Sequence, residues 1–138
     1  DRLPVRFRND CEHVMSKMVL LVDDSTTMLM SLKTNLEMHG FAVETATDGA
    51  IAVGKLKAGV KPALIITDIN MPNMGGIDFI RAARGLPGTR FTPILALTTE
   101  SQAAKRDEAK KLGATGWLVK PVAGPDLIKV IRQVLPGA

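Results

Sequence analysis

Tyrosine is absent from this 138-residue chain, tryptophan and cysteine occur once each, and histidine occurs twice. The single cysteine, Cys11, excludes an intramolecular disulfide and a cysteine-built zinc site. With His13 and His39 alone, a histidine-based metal centre or a serine triad lacks its parts. Only four Phe and one Trp are present, so the core is expected to come from Val, Ile, Leu, Ala and the seven Met. No apolar run approaches the roughly 20 residues of a membrane span. Residues 1–17 contain no apolar stretch of the signal-peptide kind. The excess of base is mild, 18 Lys and Arg against 14 Asp and Glu, and it is dispersed along the chain. With so few aromatics beside it, this charge does not indicate a nucleic-acid surface. A reduced cytoplasmic protein, monomeric and not inserted in a membrane, is expected. Its chemistry must run on carboxylates, hydroxyls and lysine.

Residues 1–17 (DRLPVRFRNDCEHVMSK) are polar and aperiodic, and are expected to be an extension without function ahead of one domain over 18–138. From Met18 onward, short apolar runs alternate with amphipathic segments of helix length. The runs are MVLLV (18–22), FAVETA (41–46), ALIIT (63–67), PILALT (93–98) and GWLV (116–119). Helices are predicted over 25–38, 48–58, 76–84, 101–112 and 125–135. Gly40, Gly59 and Gly113 stand where left-handed C-terminal caps are expected. Three of the runs are almost wholly apolar, as strands covered on both faces must be. The pattern predicts an α/β fold, (βα)5, with a parallel sheet and helices on both faces.

In such a sheet, ligands bind beyond the carboxyl ends of the strands. The first run is followed by Asp23 and Asp24 and the third by Asp68. The fourth ends in Thr98, followed by Thr99 and Glu100, and the fifth is followed by Lys120 and Pro121. An isolated strand-end aspartate is commonly a helix cap, but four strand ends supplying carboxylate, carboxylate, hydroxyl and ammonium to one rim form a constellation. Crowded carboxylates raise a pKa or recruit a cation. With no soft ligand present, the cation expected is hard and oxygen-seeking, such as Mg²⁺. A carboxylate can also act as a nucleophile and form an acyl phosphate. Metal, lysine and hydroxyl would then neutralise the transferring phosphoryl group.

The segments VLLVDDS, TDINMPNMGG, LALTTES and GATGWLVKP, in this order and spacing, resemble the receiver domain of bacterial response regulators over about residues 18–136. The stretch TTESQAAKRDEAKKLGATGWLVKP further resembles single-domain chemotaxis regulators of the CheY kind. The resemblance implies a flavodoxin-like, doubly wound five-stranded parallel sheet in the order 2-1-3-4-5. It implies that Asp68 is the phosphoacceptor, and that Asp24 binds Mg²⁺ (or Mn²⁺) directly while Asp23 acts through water. Asp68 and the backbone carbonyl of Asn70 would complete the protein ligands. Thr98 matches the switch hydroxyl, Lys120 the lysine that pairs with a phosphoryl oxygen, and Pro121 a proline after a cis peptide bond. Trp117 falls on the switch-aromatic position, where the family usually has Tyr or Phe. Thr99 replaces the usual small residue, narrowing access to Asp68. Asn70 and Glu100 occupy the two positions that orient the water for dephosphorylation.

The function so implied is a stand-alone phosphorylation switch rather than an enzyme acting on other substrates. Its donor would be a histidine kinase or a His-containing phosphotransfer protein. Its output would be a protein bound through segments 101–112, 116–119 and 125–135, a flagellar motor switch protein if the chemotaxis resemblance holds. A phosphate sink or relay is the nearest variant. An Asp-nucleophile phosphohydrolase is the other class, opposed by Asn70 standing where such enzymes carry a second acid. The basic group Lys105, Arg106, Lys110 and Lys111 reads as a solvated helix face.

Overall fold

In the computed structural model, which describes residues 17–99, 101, 103–120 and 122–135, each apolar run becomes a strand. These are β1 (Met18–Val22), β2 (Ala42–Ala46), β3 (Leu64–Asp68), β4 (Ile94–Thr98) and β5 (Gly116–Val119). The helices are α1 (Thr26–Met38), α2 (Gly49–Lys57), α3 (Gly76–Gly85), α4 (Ala103–Lys111) and α5 (Gly124–Val134). All strand pairs are parallel, and their order is β2-β1-β3-β4-β5, the order the resemblance implies. The central strands β3 and β4 are buried at every residue, and β1 at all but its first. Edge strands β2 and β5 are mostly half-buried, and β2 accordingly carries Glu44 and Thr45.

Side-chain alternation along the strands divides the core in two. Val19, Leu21, Leu64, Ile66, Leu95 and Leu97 face one side, against Leu29, Leu32 and Leu36 of α1 and Leu127, Ile128 and Ile131 of α5. Leu20, Val22, Ile65, Ile94 and Ala96 face the other, against Ala52 of α2, Phe79, Ile80 and Ala83 of α3 and Ala109 of α4. Truncating one of these fully buried leucines to alanine would cost about 2–5 kcal/mol. The helix ends follow local chemistry. Ser25 caps α1 by accepting from the Met28 amide, and Asp48 caps α2 by accepting from the Ile51 amide. Gly40, Gly59 and Gly113 adopt the positive φ values expected of them, 90°, 112° and 108°.

The expected methionine contribution to the core is corrected. No methionine among the described residues is buried: Met30 and Met38 are 65% and 78% exposed, while Met28, Met71 and Met74 pack against the rims of the two clusters. Branched aliphatic residues of the strands and the fully buried Phe79 take those core positions instead. The expected extension 1–17 lies outside the described residues except for Lys17, whose carbonyl accepts from the Ala42 amide. Glu100 and Pro121 also lie outside them, and with Pro121 the expected cis bond. Among the described residues, no helix is long and apolar enough to cross a membrane.

Candidate functional site

The register between β1 and β3 sets Val22 beside Thr67, so the residues that follow, Asp23 and Asp68, emerge side by side at the carboxyl rim. Asp68 is the last residue of β3 itself, one step further along the strand than the apolar run indicates. Asp23 is 1% exposed, Asp68 7%, and Asp24 is exposed at the mouth of the site. One carboxylate oxygen from each of the three lies within 4.8 Å of the others; this is the only such acidic, histidine or cysteine group among the described residues. Each buried carboxylate is partly held by backbone. Asp23 Oδ1 accepts from the Ser25 amide at 2.9 Å, and Asp68 Oδ1 from the Ile69 amide at 2.8 Å.

Lys120, just past β5, reaches across the end of β4 into this group. Its Nζ lies 3.2 Å from Asp68 Oδ2 and 3.4 Å from Asp23 Oδ2. Burial opposes its charge, but the carboxylates of Asp68 and Asp23 outweigh that and raise its pKa above the usual 10.5. Asp68 responds in the other direction to the same crowding. Burial first, and the charge of Asp23 second, raise its pKa above the usual 3.8, although Lys120 pulls the other way. One ammonium against three carboxylates leaves two negative charges uncompensated. That deficit, in an all-oxygen donor set, suits one hard divalent cation.

Thr98 ends β4 fully buried, beside the Asp68–Leu97 register pair. Its hydroxyl donates to the Leu118 carbonyl at 3.5 Å, the limit of hydrogen bonding, while its own carbonyl accepts from the Lys120 amide at 2.7 Å. Trp117 lies on β5 away from the carboxylates, 45% exposed, with the Arg106 guanidinium 5.7 Å from its ring centre. Thr99 is exposed and pairs with the Ser101 hydroxyl at 2.9 Å. Asn70 is exposed and, with Asp24, Met71, Pro72 and Lys105, lines an open cleft of about 420 Å³.

The structure thus brings together Asp23, Asp24, Asp68 and Lys120, sets Thr98 and Asn70 beside them, and places Trp117 apart. Sequence reasoning missed one neighbour. Asp48 Oδ2 accepts from Asn73 Nδ2 at 2.9 Å, tying the start of α2 to the loop that carries Asn70. The available signals were Asp-Gly at the head of a predicted helix and an Asn within MPNMGG. Neither identifies the other as its partner.

Residues 19–132 match the response regulator receiver domain family. The chain is 34% identical over 122 residues to the transcriptional regulatory protein PrrA of Mycobacterium leprae, covering 88% of this chain and 51% of that protein. It therefore spans about half the length of that relative. It is 36% identical over 120 residues to the chemotaxis protein CheY1 of Helicobacter pylori, covering 86% and 96% of the two chains. The solved structure of the chemotaxis response regulator CheY4 of Vibrio cholerae superposes with a TM-score of 0.82 at 43% identity, covering 87% of this chain and 99% of that one. A carboxylate-rich rim on a 2-1-3-4-5 parallel sheet, with a family match spanning all five strands, places this chain in the receiver domain family of two-component response regulators.

Proposed function

We propose that this receiver accepts a phosphoryl group on Asp68 from the phosphohistidine of a histidine kinase or phosphotransfer protein, in the cytoplasm. The observation that carries the reading is the Lys120 contact, 3.2 Å from Asp68 in a group with two uncompensated negative charges. An Asp68 carboxylate oxygen attacks phosphorus as the phosphorus–nitrogen bond breaks, and the bonding pair leaves with the imidazole. Lys120 exchanges its carboxylate contacts for a phosphoryl oxygen. Asp24, Asp68 and the Asn70 carbonyl would hold Mg²⁺, or Mn²⁺ in its place, with Asp23 acting through water. Bound there, Mg²⁺ supplies positive charge against the phosphoryl oxygens.

Thr98 gives up its long contact to Leu118 and turns toward the phosphoryl group. Trp117 then moves into the space released, changing the face formed by α4, β5 and α5. That face binds the output protein. The likeness to CheY1 and CheY4 supports a chemotaxis output, with a flagellar motor switch protein as partner. Asn70 and Glu100 orient the water that hydrolyses the acyl phosphate, so the signal is short-lived. The identity with PrrA favours a second reading, a receiver that controls transcription. A slow decay of the phosphorylated chain would favour that reading.

The test is transfer from a phosphohistidine donor with and without Mg²⁺. The parent is expected to be labelled only with Mg²⁺, and Asp68→Asn not at all, because an amide is a poor nucleophile. Undiminished labelling of Asp68→Asn would refute the assignment.

A further inference from the structure

The loop from Ile69 to Gly75 carries Asn70 between two fixed points. At its base, the Gly76 amide donates to the Ile69 carbonyl at 2.8 Å. A Cβ on Gly76 would collide with the Asp68 carbonyl oxygen, so the chain folds back directly over the end of β3. At its tip, the loop meets the head of α2. The Gly49 amide donates to the Met74 carbonyl at 2.9 Å, and a Cβ on Gly49 would come within 2.8 Å of that residue's side chain and carbonyl oxygen. Beside this contact, Asn73 donates its side-chain amide to Asp48 Oδ2 at 2.9 Å.

Asp48 is 5% exposed, and its carboxylate is divided between two tasks. Oδ1 caps α2 at the Ile51 amide, 2.9 Å away, and Oδ2 takes Asn73. Asn73 has φ 63°, a conformation that glycine adopts more readily still. What asparagine adds there is the amide donor. The same corner also steadies the acidic pair, because the Ala46 carbonyl, two residues before Asp48, accepts from the Asp23 amide at 3.0 Å.

We propose that Asp48 and Asn73 are positioning residues for the cation: their hydrogen bond holds the 69–75 loop so that the Asn70 carbonyl is in place before the cation arrives. This rests on reading the acidic rim as a Mg²⁺ site with Asn70 among its ligands. A backbone carbonyl is a useful ligand only if its loop is already ordered, since otherwise binding must bear the ordering cost. Groups that orient metal ligands commonly change affinity by about 10–100-fold when removed.

The experiment titrates the full chain with Mg²⁺ alone, following backbone amide resonances, and records a thermal melt of each variant in EDTA. Asn73→Gly keeps the φ and loses the donor. Asp48→Ser keeps the helix cap and loses the second oxygen. Both are expected to bind Mg²⁺ about tenfold more weakly. Asp48→Asn is expected to stay near the parent, because its oxygen still caps α2 and its amide can donate to a flipped Asn73. Lowered melting temperatures with parental affinity in both Asn73→Gly and Asp48→Ser would reduce the pair to a structural tie and overturn the proposal. Asp24→Ala separates the two levels. If it loses Mg²⁺ while the loop variants keep it, the positioning role alone fails. If it keeps Mg²⁺, the reading of the rim fails, and the proposal with it.

Discussion

At the amino ends of β4 and β5, Arg84 donates five hydrogen bonds to the carbonyls of Thr89, Arg90, Thr92 and Gly113, at 2.7 to 3.2 Å. Nearby, the buried Thr89 hydroxyl donates to the Ala83 carbonyl. At the carboxyl ends of the same sheet, Lys120 faces two buried carboxylates, with a third close by. Both rims carry hydrogen-bonded buried polar groups, but at the carboxyl rim the partners leave negative charge unbalanced. The guanidinium lies among carbonyls of two segments, 89–92 and the turn at Gly113, and ties them together. The carboxylates are packed against their own repulsion, a state that stabilises the fold less than neutral side chains would. Polar groups that hold a fold together are balanced within it, whereas those that bind or react are left for something else to balance.

Arg84→Ala should sharpen this contrast most. Losing the guanidinium unties the loops at the amino rim and leaves partly buried carbonyls without their donor. The expected cost is about 2 kcal/mol in denaturant unfolding, with Mg²⁺ affinity unchanged. A parallel loss of Mg²⁺ binding would break the separation between the rims.

Asp68→Asn should act in the opposite direction. In EDTA at neutral pH it is expected to stabilise the fold by about 1 kcal/mol, the scale of a relieved charge contact. The sign follows from burial first and Asp23 second, which hold the Asp68 pKa above 3.8. The folded state therefore takes up this proton more readily than the unfolded chain. The stability from this group is present in full below 3.8 and is lost as pH rises through its folded-state value. The advantage of the Asn variant should grow across that window and vanish below it, as followed by thermal melts against pH.

Most of the fold was legible because every strand is a separate apolar run and three helices end in glycine at positive φ. The acidic rim was legible for the same reason, since each of its members directly follows or ends a run. Arg84 was not. Its position near a helix C-terminus offers only a generic charge preference, and its acceptors are carbonyls up to 29 residues away. Asp48 and Asn73, 25 residues apart, were hidden by the same kind of separation. The methionine share of the core was overestimated because composition counts apolar volume without saying which residues the sheet will cover.

Trp117 offers the smallest effect. It lies on β5 between the rims, half-exposed, with Arg106 over its ring. Trp117→Ala should cost about 0.5 kcal/mol, the scale of an exposed cation–π contact. In the parent, its fluorescence should shift when beryllofluoride, an acyl-phosphate mimic, is added with Mg²⁺. Unchanged emission would remove Trp117 from the coupling between rim and surface.

The central claim is that the carboxyl rim lacks a cation's charge, and unfolding free energy measured against Mg²⁺ concentration tests it directly. A cation that binds only the folded chain stabilises it in proportion to the logarithm of its concentration above the dissociation constant. The parent should gain stability steadily with Mg²⁺, by about 1.4 kcal/mol per tenfold increase once the site is saturated, while Asp24→Ala stays flat. Equal gains in both chains, or none in the parent, would contradict the account.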